Sequence, residues 1–239
     1  MVELTFKNEK TGLTQTLEFQ GNAITGDGNY LYSRLKPCFQ KAQKIDIIVS
    51  FLMESGVKLL VNDIKAAVER GARVRILTGN YLNITQPAAL YMLRRELGDA
   101  VSVRFYNVPN KSFHPKAYIF HYDDKGEIYI GSSNVSFSAL TTGIEWNYCF
   151  DSKMHPEDFE HFYNTFEDLY ENYAYEITDE TLKEYSRKWK KPNVQKDLEA
   201  YDTEGGREEP ETVQPEGPRL KHCIIWRRAA KRAGIRGSR

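Results

Sequence analysis

The sequence predicts an α/β fold, a mixed, mostly parallel β-sheet flanked by helices on both faces. Three observations carry this. An apolar, β-branched run at residues 45–51 (IDIIVSF) is followed by apolar residues at helical spacing (Leu60, Ile64, Ala67, Val68). That strand and helix unit then repeats, and after Asn110 the period changes to short alternating runs. Alternating strands and helices imply parallel strands, because a crossover helix returns the chain in its original direction.

In chain order, residues 4–6 and 14–19 are strand-like and can pair around Thr11-Gly12, and residues 30–42 have helical spacing. The strand at 45–51 feeds a helix over 57–70, and Gly71 stands where a helix C-cap favours a residue free to adopt positive φ. Residues 74–78 (VRILT) form the next strand. Pro87, a good first-turn residue, opens a helix that runs to Leu97 and ends at Gly98, and residues 101–106 (VSVRFY) alternate as a third strand. Residues 116–122 and 127–130, joined by Asp123-Asp124-Lys125-Gly126, make a β-hairpin. A short helix is expected at 137–140, a strand at 145–150 (EWNYCF), and an amphipathic helix at 157–173 with Phe159, Phe162, Phe166, Leu169 and Tyr170 on one side.

The compact domain is expected over 1–192. Beyond it, acidic residues dominate between Asp197 and Glu216, broken by Gly205-Gly206, Pro210 and Pro215, and every charged residue from Arg219 to Arg239 is basic. Residues 193–239 therefore resemble an acidic linker and a basic tail and are expected to be disordered. Such a tail can bind phosphate backbones, although a solvated end is the commoner case.

Composition narrows the class. Formal net charge is +0, which favours no partner. Hydrophobic residues make up 41% of the chain, enough for a core, yet no run approaches the roughly 18 apolar residues of a membrane span. Residues 1–11 mix Glu3, Lys7, Glu9 and Lys10 among apolar side chains, unlike a secretory signal, so a cytoplasmic location is expected. Cys38, Cys149 and Cys223 lack CxxC spacing, which argues against a disulfide framework or a zinc site.

The chemistry concentrates in HPKAYIFHYDDKGEIYIGSSNVSFSALTTGIEWN. His114 and Lys116 lie two apart at a strand start, so both side chains leave one face and can meet one ligand. The hairpin then returns the chain to Gly131-Ser132-Ser133-Asn134, a small-residue turn that an anion can approach closely. Cleaving a phosphodiester requires a nucleophile near neutral pKa, a fixed positive charge and neutral donors for the non-bridging oxygens, and His114, Lys116, Ser132 and Asn134 supply each. Taken singly, Lys116 is an ordinary strand residue, GSSN an ordinary turn and helix cap, and Ser133 and Ser136 are as readily structural.

The ordered set of HxK, hairpin, GSxN and Glu145 resembles the phospholipase D superfamily, in particular its small nuclease-like members, over residues 30–173. The resemblance implies that one imidazole attacks phosphorus to form a phosphohistidine while a second protonates the leaving oxygen, without a metal or other cofactor. Glu145 then corresponds to the glutamate that holds the histidine tautomer. None of His121, His155, His161 and His222 has a lysine two residues on, so the resemblance implies a homodimer whose two His114 residues share a site. The family's longer motif places an aspartate where this chain has His121, which is expected to pack in the hairpin; the departure leans toward nucleic acid as substrate. A DNA nuclease is implied, as the module of a restriction system with a helicase or ATPase partner. A lipid phosphodiesterase and a non-catalytic nucleic-acid-binding or dimerisation module stay open.

Overall fold

A computed structural model describes the backbone strands at 2–7 and 14–19, residues 21–193, and Glu199 and Asp202. The strands β1 (Val2–Lys7) and β2 (Thr14–Phe19) pair antiparallel as a sheet of their own, Val2 opposite Phe19 and Lys7 opposite Thr14. Thr11-Gly12, Cys223, the basic tail and most of the acidic stretch lie outside the described residues.

The main sheet starts with β3 (Ala23–Ile24) and β4 (Lys44–Val49), separated by α1 (Leu31–Lys41). Then follow α2 (Glu54–Glu69), β5 (Arg73–Thr78), α3 (Pro87–Leu97) and β6 (Val101–Tyr106). The hairpin comprises β7 (Lys116–His121) and β8 (Gly126–Gly131), after which come α4 (Phe137–Thr141), β9 (Asn147–Asp151), α5 (Pro156–Asn172), β10 (Ala174–Glu176) and α6 (Asp179–Lys188). In space the strands run β10-β6-β5-β4-β7-β8-β9-β3.

The mixed α/β sheet is as the sequence predicts, but the expected predominance of parallel pairs is not. Only β4 with β5 and β5 with β6 are parallel, and the other five pairings are antiparallel. The reason is local. Crossover helices link only the strands from β4 to β6, whereas β7, β8 and β9 follow short connections that reverse the chain. Two short strands that carry little periodicity, β3 and β10, cover the sheet edges.

Alternation along the strands divides the core between the two faces. Ile45, Ile47 and Val49 of β4 join Val74, Ile76, Tyr118 and Phe120 beneath α1, α2, α3 and α6. Ile48, Leu77, Ile119 and Ile128 pack against Phe159, Phe166 and Tyr170 of α5. Each such side chain contributes about 1.5–3 kcal/mol by leaving water. At Gly71 the chain adopts φ 97°, the left-handed cap its position predicts.

The α5 face also buries charge. Asp46 is fully buried, and Arg75 Nε donates to its Oδ1 at 2.6 Å, while the same guanidinium reaches Glu167 at 2.6 and 3.0 Å. Lys44 adds contacts to Asp46 at 3.4 Å and Glu167 at 3.2 Å. His121 packs edge-on against Phe159 and Tyr163, with Nε2 3.4 Å from Asp46. Burial alone would raise the Asp46 carboxyl, but the approach of the His121 ring, the hydrogen bond from Arg75 and the charges of Arg75 and Lys44 hold it below the usual carboxylate range. His121 thus belongs to a structural network at the far end of β7 from Lys116.

Candidate active site

The predicted residues gather where β4 ends. Val49 of β4 pairs with Lys116 at the start of β7, and β8 finishes at Gly131 beside Asn147 of β9. This is the carboxyl edge of the parallel strands, with β5 on one side of β4 and the hairpin on the other, a position where open α/β sheets present their ligands. Beyond β4 the chain makes a parallel bridge from Leu52 to Val135, which ties the GSSN turn to the entrance of α2.

Glycine permits that approach at two places. A Cβ on Gly131 would lie 2.2 Å from the Trp146 carbonyl oxygen and 2.5 Å from Asn147 Oδ1. A Cβ on Gly56, in the first turn of α2, would lie 2.4 Å from the Val135 carbonyl carbon. Both contacts are below any normal van der Waals separation, so the turn is held where only hydrogen fits.

His114 is exposed and Lys116 is 7% exposed. The Lys116 ammonium lies 2.9 and 3.0 Å from the two ring nitrogens of His114 and donates to the His114 carbonyl oxygen at 3.0 Å. Near-equal distances place it astride the imidazole, aligned with neither lone pair, so its effect on the ring is chiefly electrostatic. Partial burial first, and then this charge, push the His114 pKa below the ordinary histidine value, a shift that favours the nucleophilic form of the ring. Lys116 is itself lowered by burial, with Glu145 pulling the other way.

The turn divides its tasks. Asn134 Oδ1 accepts from the Phe51 backbone at 3.3 Å, leaving the amide hydrogens as the donors that a ligand can use. Ser133 is fully buried and structural, since its hydroxyl accepts from Asn147 at 2.9 Å and its carbonyl from Tyr118 at 3.2 Å. Ser136 caps α4, accepting from Ala139 at 3.2 Å. Ser132 is exposed, and its hydroxyl donates to the Glu145 carboxylate and accepts from Trp146 N at 3.0 Å.

Glu145 is placed differently from the expectation. The strand begins at Asn147 rather than at 145, so Glu145 sits in the preceding loop. Its carboxylate meets Ser132, and among the described residues no hydrogen bond joins it to His114. Tyr81, which the motifs do not mark, instead lies against His114, with ring centroids 4.5 Å apart and planes at 53°. Its loop, GNYLNITQ at 79–86, carries neither a motif nor an apolar period in the sequence, and 33 positions separate Tyr81 from His114.

Among the described residues no three His, Cys, Asp or Glu side chains converge as a metal site would require. A cavity of about 560 Å³ lies elsewhere, lined in part by Met53, Lys58, Gln86, Glu199 and Asp202. Asp202 there accepts from Ser138 N at 2.6 Å, and Glu199 from Gln86 at 2.9 Å. His114 is not among its lining residues.

Residues 35–170 match the family described as "Cardiolipin synthase, PLD-like domain". Among solved structures, Nuc from Salmonella typhimurium, described as a phospholipase D family member, superposes with a TM-score of 0.52 at 20% identity, over 66% of this chain and 97% of that one. Polyphosphate kinase from Porphyromonas gingivalis gives 0.51 at 14% identity, over 69% of this chain and 24% of that one. NucT from Helicobacter pylori gives 0.47 at 16% identity, over 61% and 89%. No curated protein matches by sequence.

Proposed function

The chain belongs to the phospholipase D superfamily, whose chemistry is at phosphodiesters, and from that premise we propose a metal-independent DNA nuclease acting through a phosphohistidine at a site shared by two subunits. The observation that carries this reading is the His114 imidazole with the Lys116 amine set against it, at the mouth of the GSSN turn.

In the first step a His114 nitrogen attacks phosphorus, a nitrogen–phosphorus bond forms, and the phosphorus–oxygen bond to the leaving group breaks. The leaving oxygen takes its proton from the partner subunit's His114, in its imidazolium form. In the second step that imidazole removes a proton from water, the hydroxide attacks phosphorus, and His114 is released. Lys116 and the Asn134 amide hydrogens meet the non-bridging oxygens, where negative charge grows in the transition state. Ser132 stands at the same turn, and its hydroxyl becomes a further donor on exchanging Glu145 for a phosphate oxygen. Burial lowers the Lys116 pKa, and the Glu145 charge opposes that shift in favour of the ammonium form.

Histidine at position 121 in place of the longer motif's aspartate supports nucleic acid over phospholipid as substrate. In this reading residues 1–192 form the phosphodiesterase domain and 193–239 a connection toward a helicase or ATPase in a cytoplasmic restriction system. No helix of the described residues is long and apolar enough to cross a membrane.

The test incubates the purified chain with plasmid, single-stranded DNA, bis-nitrophenyl phosphate and phospholipid vesicles in EDTA, beside His114→Ala. DNA and the small diester should be cleaved, and His114→Ala should lower turnover by about a thousandfold or more, as loss of a nucleophile does. Loss of cleavage in EDTA would contradict the metal-free step. Cleavage of vesicles alone would move the substrate to lipid, and DNA binding without cleavage of any substrate would make the chain a binding module.

A further inference from the structure

Two observations about His114 stand together. Its ring has no carboxylate or carbonyl to orient it among the described residues, because Glu145 is engaged with Ser132 and Lys116 sits astride the ring nitrogens. Among the described residues its one packed ring neighbour is Tyr81, at 4.5 Å. The backbone that delivers Tyr81 is unusual: the next two residues, Leu82 and Asn83, have φ of 50° and 61°. Asparagine tolerates that region, but leucine rarely enters it, and such a conformation persists only where its surroundings impose it.

Those surroundings are present. Tyr185 of α6 donates to Asn80 Oδ1 at 2.8 Å and to the Thr85 carbonyl at 2.7 Å. Just past α6, Trp189 Nε1 donates to the Asn83 carbonyl at 2.9 Å, and Asn83 Nδ2 donates to the Lys190 carbonyl at 2.5 Å. Within the loop Asn80 donates to Asn83 Oδ1 at 2.9 Å, and Thr85 to the Gly79 carbonyl at 2.5 Å. A helix and its following turn thus hold a strained loop whose outcome is an aromatic ring on an otherwise unanchored imidazole.

We propose that Tyr81 is a positioning residue for His114: its ring sets the plane of the imidazole so that one nitrogen is presented to phosphorus, and Tyr185 and Trp189 hold Tyr81 in place. The proposal rests on His114 as the nucleophile of the reading above. It assigns the role through the ring alone, since no hydrogen bond engages the Tyr81 hydroxyl among the described residues, and phenylalanine should therefore serve.

The experiment uses the full chain labelled at histidine Cε1, as wild type, Tyr81→Ala, Tyr81→Phe and Trp189→Phe, with His114→Ala to assign the resonance. Nuclear magnetic resonance follows the His114 titration, and bis-nitrophenyl phosphate in EDTA supplies kcat and KM. Tyr81→Ala should move the His114 resonance, raise its titration midpoint as the ring is solvated, and lower kcat roughly 10- to 100-fold with KM within about twofold. Tyr81→Phe should restore all of these. Trp189→Phe, which removes the bond to Asn83, should shift them in the same direction to a smaller extent.

An unchanged His114 resonance and titration in Tyr81→Ala overturns the proposal whether or not any chain cleaves. A wild-type kcat in that variant overturns it where the wild type does cleave, and failure of Tyr81→Phe to restore the signal overturns the role given to the ring. If the wild type cleaves nothing while Tyr81→Ala still moves the titration, the positioning stands and the nucleophile reading fails.

Discussion

Lys116 acts on His114 by charge as much as by contact, and that has a measurable sign. The His114 pKa is lowered by burial and then by the Lys116 ammonium. A protonated imidazole cannot attack phosphorus, so activity should fall as pH drops through the folded-state pKa, and the acid limb of kcat/KM should lie below the ordinary histidine value of about 6.5. Lys116→Met removes the charge and leaves the burial, so the His114 midpoint should move up toward the ordinary value without reaching it. Titration of the His114 ring in the two proteins measures this, and a midpoint that stays or falls in the variant would refute the coupling. Because two such rings share the proposed site, the wild-type profile belongs to the pair rather than to one residue. The residues of this cluster are legible in the sequence because HxK and GSxN lie within one hairpin, where spacing alone predicts convergence. Tyr81 is not legible, since its position depends on a left-handed backbone and on hydrogen bonds from residues about 100 positions away.

The site's second requirement is that α2 and the GSSN turn touch backbone to backbone. Gly56 lies inside α2, where alanine would ordinarily stabilise by up to about 1 kcal/mol through helix propensity. Its Cβ would meet backbone atoms of Val135 and Ser136 at 2.4 to 2.5 Å, which neither side can absorb by turning a side chain. Overpacking of this kind costs about 1–3 kcal/mol, so the clash outweighs the propensity. We expect Gly56→Ala to lower the melting temperature by about 2–10 °C and to reduce turnover, because Asn134 precedes the displaced residues. Thermal unfolding by circular dichroism checks this, and an unchanged or higher midpoint would refute it. Elements from β4 to β6 are legible from apolar period. The β9 start is misplaced by two residues because EWNYCF alternates from Glu145 onward, although Ser132 pairs with Trp146 and holds that stretch as a loop. The Thr178 and Thr181 capping box of α6 is visible in hindsight, but with Leu182 as its one fully buried side chain the helix carries little apolar signal.

At the scale of the whole molecule, the α/β class follows from the sequence, while strand direction depends on connections that periodicity cannot see. The same scale bears on the oligomer. One chain presents one HxK motif, and its His114 opens onto the surface. Beside Glu145 stand Ile144 and Trp146, 74% and 73% exposed, with Tyr148 next along β9. A two-fold contact through this rim would cover apolar surface that a monomer leaves wet and would bring a second His114 toward the first. Trp146→Asp is the direct test, since the side chain is already outside the core and its loss should leave the fold intact. A tryptophan at an interface centre commonly contributes about 2 kcal/mol or more, roughly a thirtyfold weakening of association. Light scattering should give a dimer for the wild type and a concentration-dependent shift toward monomer for Trp146→Asp, with cleavage falling in step and recovering as protein concentration rises. A monomeric wild type that cleaves at nanomolar concentration would show that one His114 suffices, and with it the shared-site mechanism would go.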